Sequence, residues 1–143
     1  EAGIHLRSKR MSSFAESINF FVWQEGYETG KDSIDEQHRS IVELVNVLHH
    51  SCANGSTPES VSKILSDLTG LAEFHFFTEE RELLASSSPM YRRHRHEHEQ
   101  IYLHLHTACL GDLLTTDKRT AMCALVRKAF ARHMCSTDRE DFA

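Results

Sequence analysis

Six glycines and two prolines in 143 residues leave few places where this chain must turn sharply or abandon a helix. Leu, Ala, Glu, Lys and Arg dominate its periodic stretches, a balance that favours helices over a strand-and-turn architecture. No apolar run approaches the roughly 18 residues needed to span a bilayer, and no secretory signal opens the sequence, so no membrane contact is expected of this segment. Basic excess is missing too. A formal charge of −5 supplies no cationic stripe to neutralise phosphates, which excludes a general nucleic-acid binder. The four cysteines, Cys52, Cys109, Cys123 and Cys135, have neither CxxC spacing nor the pattern of a small disulfide scaffold. They read as reduced thiols of a cytoplasmic protein, most of them filling core space.

What remains is the composition of an ordinary globule, 40% hydrophobic and 26% charged, long enough for one domain with a sizeable core. Histidine is the abnormal count, at 11, and the histidines are spread over helical patterns instead of forming a tract. The chain begins with Glu1 and not Met, which reads as a piece of a longer protein. Met11, Phe14, Ile18 and Phe21 are spaced as on a helix. Residues 1–22 are therefore expected to form either an N-terminal arm packed on the domain or a linker helix from an upstream region, ahead of a domain over 23–143.

Four helical patterns follow. An irregular, aromatic-anchored loop over 21–31 leads to a helix that Asp32 or Ser33 can cap, with His38, Ile41, Val42, Val45 and His49 on one stripe and Gly55 as its stop. Thr57 and Pro58 start the second helix. Its apolar face runs Val61, Ile64, Leu65, Leu68, Leu71, Ala72, His75, Phe76, Glu79, Leu83, so His75 and Glu79 replace apolar residues in a core stripe. Ser86 to Pro89 break the pattern. The third helix, about 90–110, aligns His94, His98, Ile101, Leu105 and Ala108, while His96, His104 and His106 lie off the stripe and read as surface histidines, with Arg92, Arg93 and Arg95 on a solvated face. Thr115 or Thr116 caps the fourth helix, which aligns Met122, Val126, Ala129 and His133. Asp138 follows His133 by five residues, a step that does not stack on a regular helix, so it is expected where the helix ends or distorts.

Four helices with short loops predict an all-α, antiparallel, up-down-up-down four-helix bundle. Antiparallel neighbours place the start of helices one and three at the same end as the finish of helices two and four. His38, His75, Glu79, His94, His98, His133 and Asp138 then converge at one end of one core. Five imidazoles and two carboxylates exceed a closed tetrahedral zinc site and suit two transition-metal ions spanned by the carboxylates. Buried without metal, they would suffer desolvation and repulsion, so this end is expected to loosen when metal is removed.

The motifs Trp23-x3-Tyr27-x2-Gly30-x3-Ile34-Asp35-x-Gln37-His38, His75-Phe76-x2-Glu79-Glu80, Tyr91-x2-His94-x3-His98 and His133-x4-Asp138, in this order over most of the chain, resemble the bacterial hemerythrin-like domains of the hemerythrin family. The resemblance implies a non-haem centre of two iron ions, oxo- or hydroxo-bridged, that binds O2 reversibly. His94, His98 and His133 would hold one iron, and His38 and His75 the other, which keeps a position open for O2 or for NO and azide-like anions. Glu79 and Asp138 would bridge the pair. The family usually carries Trp four residues before the last histidine; here Ala129 stands there and would open space or admit water. Leu83 replaces a common Met at similar volume. Asp35 and Glu36 are expected to orient His38 from outside the ligand set, and Cys135 to be a packed bystander.

The first reading of function is an O2- or redox-sensing domain of a larger signalling protein, such as a chemoreceptor, with its upstream signalling domain in the same chain. A stand-alone O2 carrier or store is the alternative. A peroxidase, nitric-oxide reductase or ferroxidase on the same centre is a third reading, kept by Ala129, although a histidine-rich site favours binding over turnover.

Overall fold

The computed structural model describes residues 20–142; Met11, Phe14, Ile18 and nearly all of the expected arm lie outside them. Among the described residues there are four long helices and no strand: α1 (Asp32–Ala53), α2 (Pro58–Ala85), α3 (Tyr91–Leu110) and α4 (Thr116–Arg132). A short 3-10 turn, Glu25–Tyr27, precedes α1. Helix α4 continues into a π-helical stretch, His133–Asp138, and a closing turn, Arg139–Asp141. Helix α1 packs on α2 and α4, and α3 packs on the same two, so the four helices enclose a common core.

The boundaries follow from local chemistry. Thr57 accepts the Ser60 amide at 3.2 Å and Pro58 occupies the first helical position of α2, where its missing N–H costs nothing. Thr115 caps α4 in the same way through the Lys118 amide. The start of α1 differs from the expected Asp32 or Ser33 cap. Lys31 is the capping residue and gives no side-chain bond. The preceding turn is tied instead from inside the helix, because the Asp35 carboxylate accepts the amides of Thr29 and Gly30 and the Thr29 hydroxyl. Gly30 adopts φ +82°, which an L side chain resists. Asp35 is thus committed to the turn and Glu36 is exposed, so neither orients His38.

The core is the apolar stripe of each helix turned inward. Ile41, Val45 and Leu48 of α1, Val61, Leu65 and Leu68 of α2, and Val126 and Phe130 of α4 are at most 2% exposed. At roughly 1.5–3 kcal/mol for each fully buried large side chain, this layer dominates the favourable side of folding. A second small cluster, Ile34, Leu83 and Phe142, lies apart from it. Phe21 is fastened to α1 by a double hydrogen bond between its backbone N–H and C=O and the Asn46 amide.

Candidate metal centre

Each helix interrupts its apolar stripe with polar groups at the same level. His38, His75, Glu79, His94, His98, His133 and Asp138 are all buried, at 0–4% exposure, and all seven meet. They form two overlapping groups: His38, His75, Glu79 and Asp138, and Glu79, His94, His98, His133 and Asp138, each within reach of one ion. Glu79 is the hub. Its oxygens lie 3.1 Å from His38 Nε2, 2.6 Å from His75 Nε2, 2.9 Å from His94 Nε2 and 2.8 Å from His98 Nε2. Asp138 reaches His38, His94 and His133 at 2.8–3.0 Å.

Asp138 arrives there through a helix defect. In an α-helix five residues advance the side chain by about 500°, leaving Asp138 about 140° away from His133. The π-helical stretch His133–Asp138 widens the turn and returns both to one face, with 2.8 Å between His133 Nε2 and Asp138 Oδ1. Such single-turn π segments recur where function requires a residue at an irregular register.

The outer edges of the imidazoles reveal what the inner edges face. His75 Nδ1 meets Gln37 Oε1 at 2.7 Å, His94 Nδ1 meets Asp141 at 2.8 Å, His98 Nδ1 meets Glu80 at 2.9 Å, and His133 Nδ1 meets Glu97 at 3.1 Å. An ionised carboxylate and an amide oxygen only accept, so these Nδ1 atoms donate, and in the neutral ring the Nε2 lone pair is left pointing inward. Inward lie carboxylate oxygens, and His98 Nε2 also faces His133 Nε2 at 3.1 Å. Lone pairs converge on lone pairs. His75 Nε2 and both Asp138 oxygens, although close to opposite partners, are misaligned for any hydrogen bond. Such an arrangement requires protons or cations at its centre, and a nitrogen- and carboxylate-rich donor set with outward-anchored imidazoles fits transition-metal ions.

Without an ion the rings turn to protons. Burial alone would lower the pKa of His38, but the carboxylates of Asp138 and Glu79, 2.8 and 3.1 Å from its Nε2, raise it to about 9. The same two carboxylates overcome burial at His94 and raise it to about 10. His133 is likewise held well above its usual 6.5 against desolvation, by Asp138 first. In return Glu79, which burial would raise, is driven well below the carboxylate range by His75, His133 and His38.

The structure thus gathers all seven residues singled out in the sequence and keeps the others away. His96, His104 and His106 are exposed. His49 stacks on Phe20 at 3.9 Å, outside the cluster. Cys135 is exposed and not packed, contrary to expectation. Ala129 lines a cleft of about 300 Å³ that reaches His133, between Ile101, His104, Glu97 and Arg132. Glu97 and Asp141 carry no signal in a regular motif, although Glu97 precedes the ligand-like His98 and Asp141 follows Asp138 by three residues. Gln37 and Glu80 stand beside His38 and Glu79 in the quoted motifs, and their adjacency was the available clue.

A helical bundle with this buried donor cluster defines a metal-binding protein. The model of the hemerythrin HHE cation binding domain matches residues 29–143, and the chain belongs to the hemerythrin family. Similar proteins include the bacteriohemerythrin of Clostridium acetobutylicum, 38% identical over 69 residues that cover 46% of this chain and 53% of that protein. The bacteriohemerythrin of Pseudomonas paraeruginosa is 32% identical over 73 residues, covering 51% of this chain and 47% of its own length. The matched regions span about half the length of these relatives. No solved structure gives a significant match.

Proposed function

We propose that this chain binds O2 reversibly at a di-iron centre and serves as the O2- or redox-sensing domain of a larger signalling protein in the cytoplasm. The observation that carries the metal reading is the pair of overlapping donor groups that share Glu79 and Asp138. In this reading His94, His98 and His133 would hold one iron and His38 and His75 the other, with Glu79 and Asp138 common to both donor groups. The groups are unequal, five donors against four, and the poorer side is where an external ligand fits. Two irons, when bound, supply the electrons for reversible O2 binding. The chain's own part is to anchor four of the five rings by their outer nitrogens and to pack apolar rings against them: Phe76 stacks on His98 at 4.1 Å and stands edge-on to His133, and Phe142 stands edge-on to His94.

The reading takes the four helices as an antiparallel, up-down-up-down bundle, which is supported by His38 near the start of α1 lying beside Glu79 near the end of α2. The domain is taken as 23–143. The sensory role is supported by the helix-like spacing of Met11, Phe14, Ile18 and Phe21 ahead of it. The bacteriohemerythrin relatives favour the O2 chemistry, and the four free thiols suit a reducing compartment. No helix among the described residues is long and apolar enough to cross a membrane.

The test is to count iron per chain, reduce the protein anaerobically, admit O2 and record the visible spectrum. Two irons and a reversible charge-transfer band are expected; a chain that binds no iron would sink the reading. One observation favours a second reading. The cleft beside Ala129 gives small molecules a route toward His133 that a large residue would close, as a peroxidase or nitric-oxide reductase would need. Sustained turnover of peroxide or nitric oxide by wild type, lost in Ala129→Trp, would establish it.

A further inference from the structure

Away from the metal cluster, two thiols from different helices meet in the core. Cys52 lies in the last turn of α1 and Cys123 in the first half of α4, 71 residues apart in sequence, and their sulfurs are 3.7 Å apart. With a rise of 1.5 Å per residue, Cys52 is about 20 Å along α1 from His38, and Cys123 about 15 Å along α4 from His133. Neither sulfur therefore belongs to the donor cluster. We propose that Cys52 and Cys123 are a thiol-oxidation site, forming a reversible disulfide across the α1–α4 seam with hydrogen peroxide as the oxidant.

Two buried cysteines usually do no more than fill space. What sets this pair apart is that each is the other's partner, with the Cys123 S–H donating to the Cys52 sulfur. A disulfide requires the sulfurs to approach by about 1.7 Å more, to near 2.0 Å. The remaining cysteines are placed differently. Cys109 contacts the Thr69 hydroxyl at 3.8 Å, and Cys135 is exposed.

The pair also has a built-in order of reaction. Cys52 is the more accessible, at 9% against 1% for Cys123, and sits beside the Asn54–Gly55 turn. It receives the S–H of Cys123 and the field of Arg119, a buried guanidinium whose Nε donates to the Leu113 carbonyl at 2.7 Å. Both interactions favour its thiolate, while the same contact and burial push the Cys123 thiol up. The Cys52 thiolate attacks one peroxide oxygen and breaks the O–O bond, giving a sulfenic acid and hydroxide, which takes a proton to become water. The Cys123 thiol then loses its proton and attacks the Cys52 sulfur, displacing the second hydroxide, which leaves as water with that proton. In sum, two thiols and one peroxide become one disulfide and two waters, with two electrons passing from sulfur to oxygen. The bond would tie the helix that carries His38 to the helix that carries His133 and Asp138, and so limit sliding along that seam.

The experiment treats the purified full chain, with whatever metal it retains, with hydrogen peroxide. Remaining thiols are alkylated under denaturing conditions, and peptides are mapped by mass spectrometry with and without prior reduction. The expected result is a Cys52–Cys123 cross-linked peptide, two hydrogen masses lighter than its parts and lost on reduction, with Cys109 alkylated. A double variant, Cys109→Ser with Cys135→Ser, keeps the seam intact and is expected to lose both remaining free thiols without forming dimers. Its oxidised form should melt at higher temperature than its reduced form, because the cross-link closes a long loop. The proposal is overturned if Cys52 and Cys123 remain alkylatable while Cys135 oxidises, if the double variant keeps both thiols free, or if it cross-links only between molecules.

Discussion

Glu79 is the residue on which the site depends most. At 0% exposure it faces four imidazoles within 3.1 Å, so removing its charge leaves several polarised rings unbalanced at once. Glu79→Ala is expected to abolish tight metal binding and to destabilise the domain by about 3–5 kcal/mol, the scale for breaking a buried charge network on one side. Iron analysis together with urea unfolding measures both. Asp141 and Glu97 act at one remove, by accepting the outer N–H of His94 and His133. Asp141→Asn keeps an acceptor but weakens it, and iron affinity should fall by roughly 10- to 100-fold in chelator competition while the fold is retained. Unchanged affinity would show that ring orientation is fixed by packing alone. These two residues were hidden in the sequence because each lies on a different helix or turn from the histidine it serves, 47 and 36 positions away.

At the scale of the element, the helices were legible because their signals are local. Thr57 with Pro58, Thr115 and the Ser86–Pro89 break act within one turn of where they stand. Thr57→Ala should cost about 1 kcal/mol in unfolding free energy and leave iron content unchanged, since the cap sits at the opposite end of α2 from Glu79. Loss of iron in that variant would mean that the two ends of α2 are coupled. The first helix shows where local reading fails. Asp32 and Ser33 looked like caps, but Asp35 takes over the preceding turn by accepting two amides and a hydroxyl. Propensity identifies residues able to cap; competition among neighbouring carboxylates decides which one bonds. The π-helical stretch is intermediate, since the five-residue step demanded a distortion that only the structure could specify.

For the whole molecule, the cluster links metal, protons and stability. After metal removal, His38 and His94 have folded pKa values of about 9 and about 10 against 6.5 for an ordinary histidine. The folded state then binds more protons than the unfolded one above pH 6.5, so the stability from these pairs is fully present below that pH. It is lost as pH rises through 9 to 10. The melting temperature of the stripped protein should therefore fall from about pH 6.5 to pH 10 as far as these groups govern it. Iron competes with the same protons, so metal affinity should rise over that range. A stripped protein whose melting temperature climbs between pH 7 and 9 would contradict the protonated-cluster description. The apolar layer is independent of this linkage: Leu68→Ala should cost about 2–5 kcal/mol at any of these pH values.

By itself the sequence determined the helical class, the Thr57 cap of α2, the choice of Thr115 or Thr116 as the cap of α4, the inward stripes and the seven polar residues that meet in the buried cluster. Those follow from the 3.6-residue period and from polar groups interrupting an apolar face, both properties of contiguous residues. Only the tertiary structure decided that Glu79 is the hub, that Asp138 returns through a π turn, and that Gln37, Glu80, Glu97 and Asp141 anchor the outer ring nitrogens. It also brought Cys52 against Cys123 from 71 residues away. Periodicity fixes the direction in which a side chain leaves its own helix. Which group it meets depends on the axial offset between packed helices, a quantity set by the whole core and written in no single stretch of chain.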